Sequence, residues 1–170
     1  MQIRLAETAG FCFGVERAVS LAEQTAKSCA SAVTLGPIIH NRHVVERFEA
    51  MGLREIARAE DAQPGQTVVI RAHGIPVSEQ QTLAARGAKL VDATCPFVKK
   101  IHVIARQAEE AGRHLLIIGT PTHPEVTAIA SYSSDAHVFQ TAEALESWLT
   151  EAPGRRDLPF CLVSQTTGTQ

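Results

Sequence analysis

The chain has 170 residues, 45% hydrophobic and 20% charged, a composition typical of a folded globular protein rather than a disordered one. Its net charge of −2 excludes a general basic surface for nucleic acid or an anionic membrane. The longest apolar runs, such as residues 115–118, are too short for a transmembrane helix, and the N-terminal residues lack a signal-peptide pattern. We therefore expect a cytoplasmic protein whose cysteines stay reduced.

Short apolar runs alternate with amphipathic segments along the chain. The predicted strands cover residues 3–6, 32–35, 67–71, 89–93, 114–118, 136–139 and 160–163. The predicted helices cover residues 15–27, 43–51, 77–86, 96–111, 125–131 and 142–149. This alternation predicts an α/β fold of small, mostly parallel sheets flanked by helices. We expect two α/β units that divide near residue 95, the first over 1–95 and the second over 96–170.

Reactive side chains follow six of the predicted strands. In open parallel sheets, ligands bind beyond the carboxyl ends of the strands, so these side chains should face one side. They belong to Cys12, His40, His73, Cys95, His123 with Glu125, and Gln165 with Thr166 and Thr167. The remaining cysteines and histidines fall in helices, at strand starts or inside a strand, and we interpret them as ordinary structure. They are Cys29, Cys161, His43, His102, His114 and His137.

The two strand-end cysteines lie in unusual local sequences. Cys12 stands between Gly10 and Gly14, and glycines let the backbone turn sharply and approach a bulky group. Cys95, in the segment DATCP, precedes a predicted helix, whose N-terminus favours a thiolate. Buried cysteines are also often small hydrophobic residues, so a structural role stays open. A zinc or thiol-redox site is a further alternative, although the local CxxC or HxxxH pairs usual for zinc are missing.

The strand-end histidines and the carboxylate permit two readings each. His40 and His73 suit an anion site, because imidazole N–H groups and helix N-terminal amides hold phosphate oxygens, but they also suit ordinary hydrogen-bonded turns. Glu125 is either a first-turn carboxylate that the helix dipole favours or, beside His123, a proton donor with a tuned pKa. Residues 165–167 can equally form a polar turn.

Six segments together resemble one protein family. They are GFCFGVERA (10–18), HNRHVV (40–45), RAHG (71–74), DATCPFVKKIH (92–102), HPEV (123–126) and SQTT (164–167). Their content, order and spacing are similar to those of the 4-hydroxy-3-methylbut-2-enyl diphosphate reductases, the last enzymes of the methylerythritol phosphate route to isoprenoids. The resemblance covers the whole chain. It implies a trefoil-like fold of three similar α/β units around an iron–sulfur cluster, with two units here and the third absent.

The resemblance also implies a [4Fe–4S] cofactor. Carried onto this sequence, Cys12 and Cys95 are two of the family's three cysteine ligands, whereas Cys29 and Cys161 match no ligand position. The family's third cysteine and a Ser-x-Asn motif of the diphosphate pocket come later than residue 170. We therefore expect the first two-thirds of a reductase. The alternative is a truncated, non-catalytic fragment that keeps the fold and part of the diphosphate site but holds no cluster.

A diphosphate substrate follows from the same resemblance. Its implied binding and catalytic residues are His40, His73 and His123 around the diphosphate and the proton network, Thr166 with Gln165 near the substrate hydroxyl, and Glu125 as the proton relay. The implied reaction is reductive dehydroxylation to isopentenyl and dimethylallyl diphosphate. A ferredoxin or flavodoxin would donate the electrons, and neither nucleic acid nor a membrane would take part.

Overall fold

The computed structural model describes residues 3–4, 6 and 9–167. Seven strands fall within this range: β1 Ala32–Leu35, β2 Arg54–Ile56, β3 Thr67–Ile70, β4 Lys89–Asp92, β5 His114–Ile118, β6 Ala136–Phe139 and β7 Phe160–Ser164. The α-helices are α1 Phe13–Ser28, α2 Arg42–Ala50, α3 Val77–Ala85, α4 Pro96–Glu110, α5 Pro124–Ala130 and α6 Ala142–Thr150. Two short 3₁₀ turns, Ala59–Asp61 and Arg155–Asp157, complete the elements.

The strands form two separate sheets in which every pairing is parallel. The first has the order β2-β1-β3-β4 and the second the order β6-β5-β7. The α/β class predicted from the sequence is therefore confirmed. The first sheet ends at Asp92 and the second begins at His114, one on each side of residue 95. The division into units over 1–95 and 96–170 stays a prediction.

The central strands are covered by helices on both faces, which explains why they are almost wholly apolar. In the first sheet, Val69 packs with Ala18 and Ala22 of α1, and Val68 packs on the other face with Leu83 of α3. In the second sheet, Leu115 and Ile117 pack against α4 and α5. Within the described residues, no helix is both long and apolar enough to cross a bilayer.

The predicted helices are confirmed, each with ends within two residues of the observed ones. Two strands differ from the prediction. Strand β2 was missed because Arg54 and Glu55 are exposed at the edge of the first sheet and give no apolar pattern. The predicted strand over 3–6 includes Leu5, which lies outside the described residues, and the described residues Ile3, Arg4 and Ala6 belong to neither sheet.

The second sheet predicts that substitutions at buried and exposed positions of adjacent strands differ sharply in their cost in stability. Ile117, in the middle of β5, is 0% exposed, and Ile117→Ala should lower the free energy of unfolding by about 2–5 kcal/mol because it leaves a cavity. Leu162 in the adjacent β7 is 58% exposed, so Leu162→Ala should cost less than about 1 kcal/mol. Urea unfolding followed by circular dichroism measures both. Equal losses in the two variants would contradict this arrangement of the second core.

Candidate functional site

A cavity of about 430 Å³ lies at the rim where strands of both sheets end. Residues that follow β3, β4 and β7 line it, together with the start of α1. Five of the residues predicted from strand ends contribute to this lining: Cys12, His73, Cys95, Thr166 and Thr167. The walls between them include the apolar side chains of Phe13, Phe97 and Val98. The cavity is therefore mainly apolar, with reactive groups at its edges.

The two cysteines occupy equivalent local positions. Cys12 is the N-cap residue of α1 and Cys95 that of α4, and within the described residues neither sulfur caps its own helix. The partial positive charge of a helix N-terminus therefore lies beside each sulfur. A Cβ at Gly14 would stand 2.5 Å from the Cys95 Sγ, so only glycine lets α1 approach this thiol. The chain thus brings two thiols to the wall of one cavity.

The loop that carries Cys95 is held in place by Arg17, a residue that the pattern of strand-end side chains did not predict. Arg17 Nη1 donates to the Thr94 carbonyl oxygen at 3.1 Å, and Nη2 donates to the Asp92 carbonyl oxygen at 3.4 Å. Asp92 Oδ1 accepts from the Thr94 backbone N–H at 3.0 Å. These bonds fix the loop against α1. The place of Arg17 inside the segment 10–18 is the one sequence signal that could have found it.

Three imidazole rings form a cluster at the same rim. His73 lies with its ring centroid 5.1 Å from those of both His40 and His123, which are 6.4 Å apart. One nitrogen from each ring lies within 4.8 Å of the others. His123 Nδ1 accepts a hydrogen bond from the Glu125 backbone N–H at 3.1 Å, which fixes that ring as the cap of α5.

His73 is the ring most altered by its surroundings. Burial, together with the charges of the neighbouring His40, His123 and Arg71, lowers its pKa to about 4. Its Nδ1 is buried and has no hydrogen-bond partner among the described residues. A bound anion would supply both the missing acceptor and a negative charge to offset the crowded imidazoles. The three nitrogens could also hold a metal ion, because neutral imidazole is a common metal ligand.

Glu125 connects this cluster to the segment that follows β7. Its side chain is fully buried, in the first turn of α5. One carboxylate oxygen accepts from the Thr166 backbone N–H at 2.6 Å, and the other accepts from the Thr167 hydroxyl at 3.1 Å. Because both threonines line the cavity, the carboxyl group is one hydrogen bond away from it.

Gln165 lies beside the cavity and joins two loops. Its Oε1 accepts from the Thr120 backbone N–H at 3.0 Å, and its Nε2 donates to the Thr167 hydroxyl at 2.9 Å. A Cβ at Gly119 would lie 2.9 Å from that Oε1, so the close approach requires glycine. Thr167, known from the sequence only as a strand-end residue, is thus held by Gln165 and donates to Glu125.

The six remaining cysteines and histidines do not line the cavity as the structure describes it. Cys29 packs against the core of the first sheet and Cys161 against that of the second. His43 is exposed on α2, and His114 and His137 lie at strand starts. His102 is buried in α4, where burial lowers its pKa to about 4.

His102 nevertheless supports the turn that carries His73. Gly74 has φ of +76°, and a Cβ there would lie 2.6 Å from the His102 Cε1. The His102 ring also stacks on Tyr132, with centroids 4.8 Å apart. A glycine in the left-handed region therefore lets this turn rest directly on α4.

The fold and the site define an α/β protein with two thiols at helix N-termini, an imidazole cluster and a buried carboxyl group at one rim of its sheets. The family described as LytB protein matches residues 3–170. The chain belongs to this family.

Curated relatives and solved structures agree with this assignment. Proteins of Nitratidesulfovibrio vulgaris and Oleidesulfovibrio alaskensis, both named 4-hydroxy-3-methylbut-2-enyl diphosphate reductase, are 43% and 45% identical over 98% of this chain. A structure of (E)-4-hydroxy-3-methyl-but-2-enyl diphosphate reductase, described as the terminal enzyme of the non-mevalonate pathway, superposes with a TM-score of 0.79 at 37% identity and covers 99% of this chain. The chain spans 59% of the length of each of these three proteins.

The surroundings of His73 predict an unusual titration. Its pKa of about 4 lies below the ordinary 6.5. Between these two pH values the unfolded chain therefore binds a proton at His73, whereas the folded chain does not. His73 should therefore contribute a loss of stability as the pH falls through this window. NMR titration of the histidine Cε1 protons, with His73→Asn to assign the resonance, measures the pKa. Added pyrophosphate should raise it, and a midpoint near 6.5 in the free protein would contradict the described burial.

Proposed function

We propose that the whole protein removes the hydroxyl group of 4-hydroxy-3-methylbut-2-enyl diphosphate and yields isopentenyl and dimethylallyl diphosphate. Two electrons and two protons enter, the allylic C–O bond breaks, a C–H bond forms and water leaves. The names of the relatives support this reaction. The observation that carries it is the meeting of Cys12, Cys95 and His73 at one apolar cavity.

A [4Fe–4S] cluster fits the donor set in part. Such clusters are held by cysteine thiolates, normally three or four of them. Cys12 and Cys95 would be two of these ligands, since both line the cavity at helix N-termini. The family resemblance implies a third from sequence outside these 170 residues. When bound, the cluster would supply single electrons and a Lewis-acidic iron, and a ferredoxin or flavodoxin would reduce it.

The imidazole cluster would bind the diphosphate. His40, His73 and His123 converge within hydrogen-bonding reach of a single group, and the His73 Nδ1, which has no hydrogen-bond partner among the described residues, is available to a ligand. An anion would favour protonation of His73, because it offsets the burial and the neighbouring charges that lower the pKa of this ring. Binding of the anionic substrate would therefore charge the site, and the apolar walls would exclude water around it.

Glu125 would hold and deliver a proton. Its carboxyl group is shielded from water and reaches the cavity through the Thr167 hydroxyl, 3.1 Å away. Thr166, whose backbone N–H binds the same carboxylate, would place its hydroxyl near the leaving group. Protonation of the departing hydroxyl turns a poor leaving group into water, which is the part of the reaction these residues can catalyse.

A second candidate function is binding of a diphosphate without catalysis. Among the described residues, two cysteines line the cavity, fewer than a stable cluster needs, which favours this alternative for the 170-residue chain alone. Anaerobic reconstitution separates the two. A chimera in which these residues replace the matching part of the Nitratidesulfovibrio vulgaris relative should retain iron, whereas the isolated chain should not. Loss of iron from the chimera with Cys12→Ser or Cys95→Ser, but not with Cys161→Ser, would assign the ligands.

The proposed role of His40 in diphosphate binding can be tested against a matched control, His43, which lies three residues further along the chain. His40→Asn should weaken pyrophosphate binding by about 10-fold or more, because it removes a charge-assisted hydrogen bond. His43, exposed on α2 and paired only with Glu46 in the described residues, should tolerate the same change. Isothermal titration of the 170-residue chain measures both affinities. Equal affinities in the two variants would remove His40 from the site.

The proton-relay role predicts a loss of rate without a loss of binding. In the chimera, Glu125→Gln keeps the side-chain shape but removes the acid, so turnover should fall by about 10²–10⁴. Glu143, an exposed first-turn glutamate of α6, provides the matched control. Turnover is measured anaerobically with an artificial one-electron donor, with iron content and substrate affinity as checks. A wild-type rate for Glu125→Gln would leave this residue as a helix-start carboxylate.

A further inference from the structure

We propose that His114, Asp135 and His137 form a binding site for a divalent transition-metal ion of the zinc class. The site lies at the strand starts of the second sheet, on the rim opposite to the cavity. Neither the cavity nor the proposed reaction uses these three residues, so this inference is independent of the proposed function.

The strand register brings the three side chains to one face. Leu115 of β5 pairs with Ala136 of β6, and both pack toward the core formed with α4 and α5. Side chains alternate along a strand. His114, which precedes Leu115, therefore points to the opposite face, as do Asp135 and His137, which flank Ala136. The pairing of β5 with β6 therefore places two imidazoles and one carboxylate on the same face of the sheet.

The donor atoms are close enough for a single ion. One carboxylate oxygen of Asp135 contacts His114 Nδ1, and the other lies 2.8 Å from His137 Nε2. The three ligand atoms lie within 4.8 Å of one another. Two imidazole nitrogens and one carboxylate oxygen form a usual donor set for Zn²⁺ and leave a fourth position for water. The three side chains are partly exposed, so an ion can reach them from solvent.

Aromatic packing fixes the orientation of both imidazoles. The Trp148 ring of α6 lies 4.6 Å from the His137 ring, and Phe160 of β7 packs edge-on against His114 at 5.9 Å. Rings held in this way have little rotational freedom to lose when they bind a metal.

The turn that carries Asp135 is also held. Its backbone N–H donates to the Ser133 hydroxyl oxygen at 3.2 Å. The Glu109 carboxylate accepts from the Ser133 hydroxyl at 2.9 Å and from the Ser134 backbone N–H at 3.0 Å. The carboxylate ligand is therefore positioned from α4, outside the strand pair that supplies the histidines.

Trp148 provides a local probe because it is the one tryptophan of the sequence. Co²⁺ at the proposed site would lie next to the tryptophan ring that packs against His137 and would quench its fluorescence. The imidazoles at the other rim are separated from it by the length of β5, about 16 Å, so an ion there quenches far less. We expect saturable quenching by about one equivalent of Co²⁺ in the full chain. Added Zn²⁺ should restore the fluorescence by competing for the same ligands.

Matched variants decide the assignment. Asp135→Asn should weaken Co²⁺ binding by at least about 10-fold, since even the partners of metal ligands contribute that much. His43→Gln removes an exposed histidine elsewhere and should leave the affinity unchanged. Circular dichroism checks that each variant folds. As a second readout, Zn²⁺ should raise the melting temperature of Asp135→Asn by less than that of wild type and His43→Gln. Unsaturable quenching, quenching that survives Asp135→Asn, or failure of Zn²⁺ to compete would overturn the proposal.

Discussion

Every strand pairing in the described part of the chain is parallel, and the functional rim depends on that constraint. The connection between two parallel strands must carry the chain back along the outside of the sheet. The carboxyl ends of neighbouring strands therefore lie on the same side of the sheet. His40, His73, Cys95 and Glu125 are far apart in sequence, yet each lies just after a strand. The cavity is therefore built from loops whose positions are fixed by the sheets beneath them.

Placing reactive groups together in a partly buried rim has an electrostatic cost, which local interactions offset for the two sulfurs and for Glu125 but not for His73. The sulfurs of Cys12 and Cys95 lie at helix N-termini, where the helix dipole favours negative charge. The Glu125 carboxylate has two hydrogen-bond donors. His73 has no such support, so burial keeps its pKa low, at about 4. The imidazole cluster is consequently the part of the rim that an anionic ligand would stabilise most.

The sequence was sufficient for most of the fold because its strands are apolar and its helices have clear ends. It was insufficient where a contact depends on tertiary approach. Strand β2 is short and polar at an edge, so its pairing with β1 is visible only in the structure. The bonds from Arg17 to the loop before Cys95 join residues more than 70 positions apart. No local pattern contains such information.

The dependence on tertiary contacts also explains why the side-chain cluster at the opposite rim was not predicted from the sequence. His114 and His137 were interpreted as ordinary structure because strand order alone places them away from the cavity. Their partner, Asp135, lies in the turn before β6, and only the register of β5 against β6 sets it between the two rings. Between the two rims lie Leu115 and Ile117, both fully buried. This packed core separates the group formed by His114, Asp135 and His137 from the cavity. The effects of substitutions at one rim can therefore be measured without disturbing the chemistry at the other.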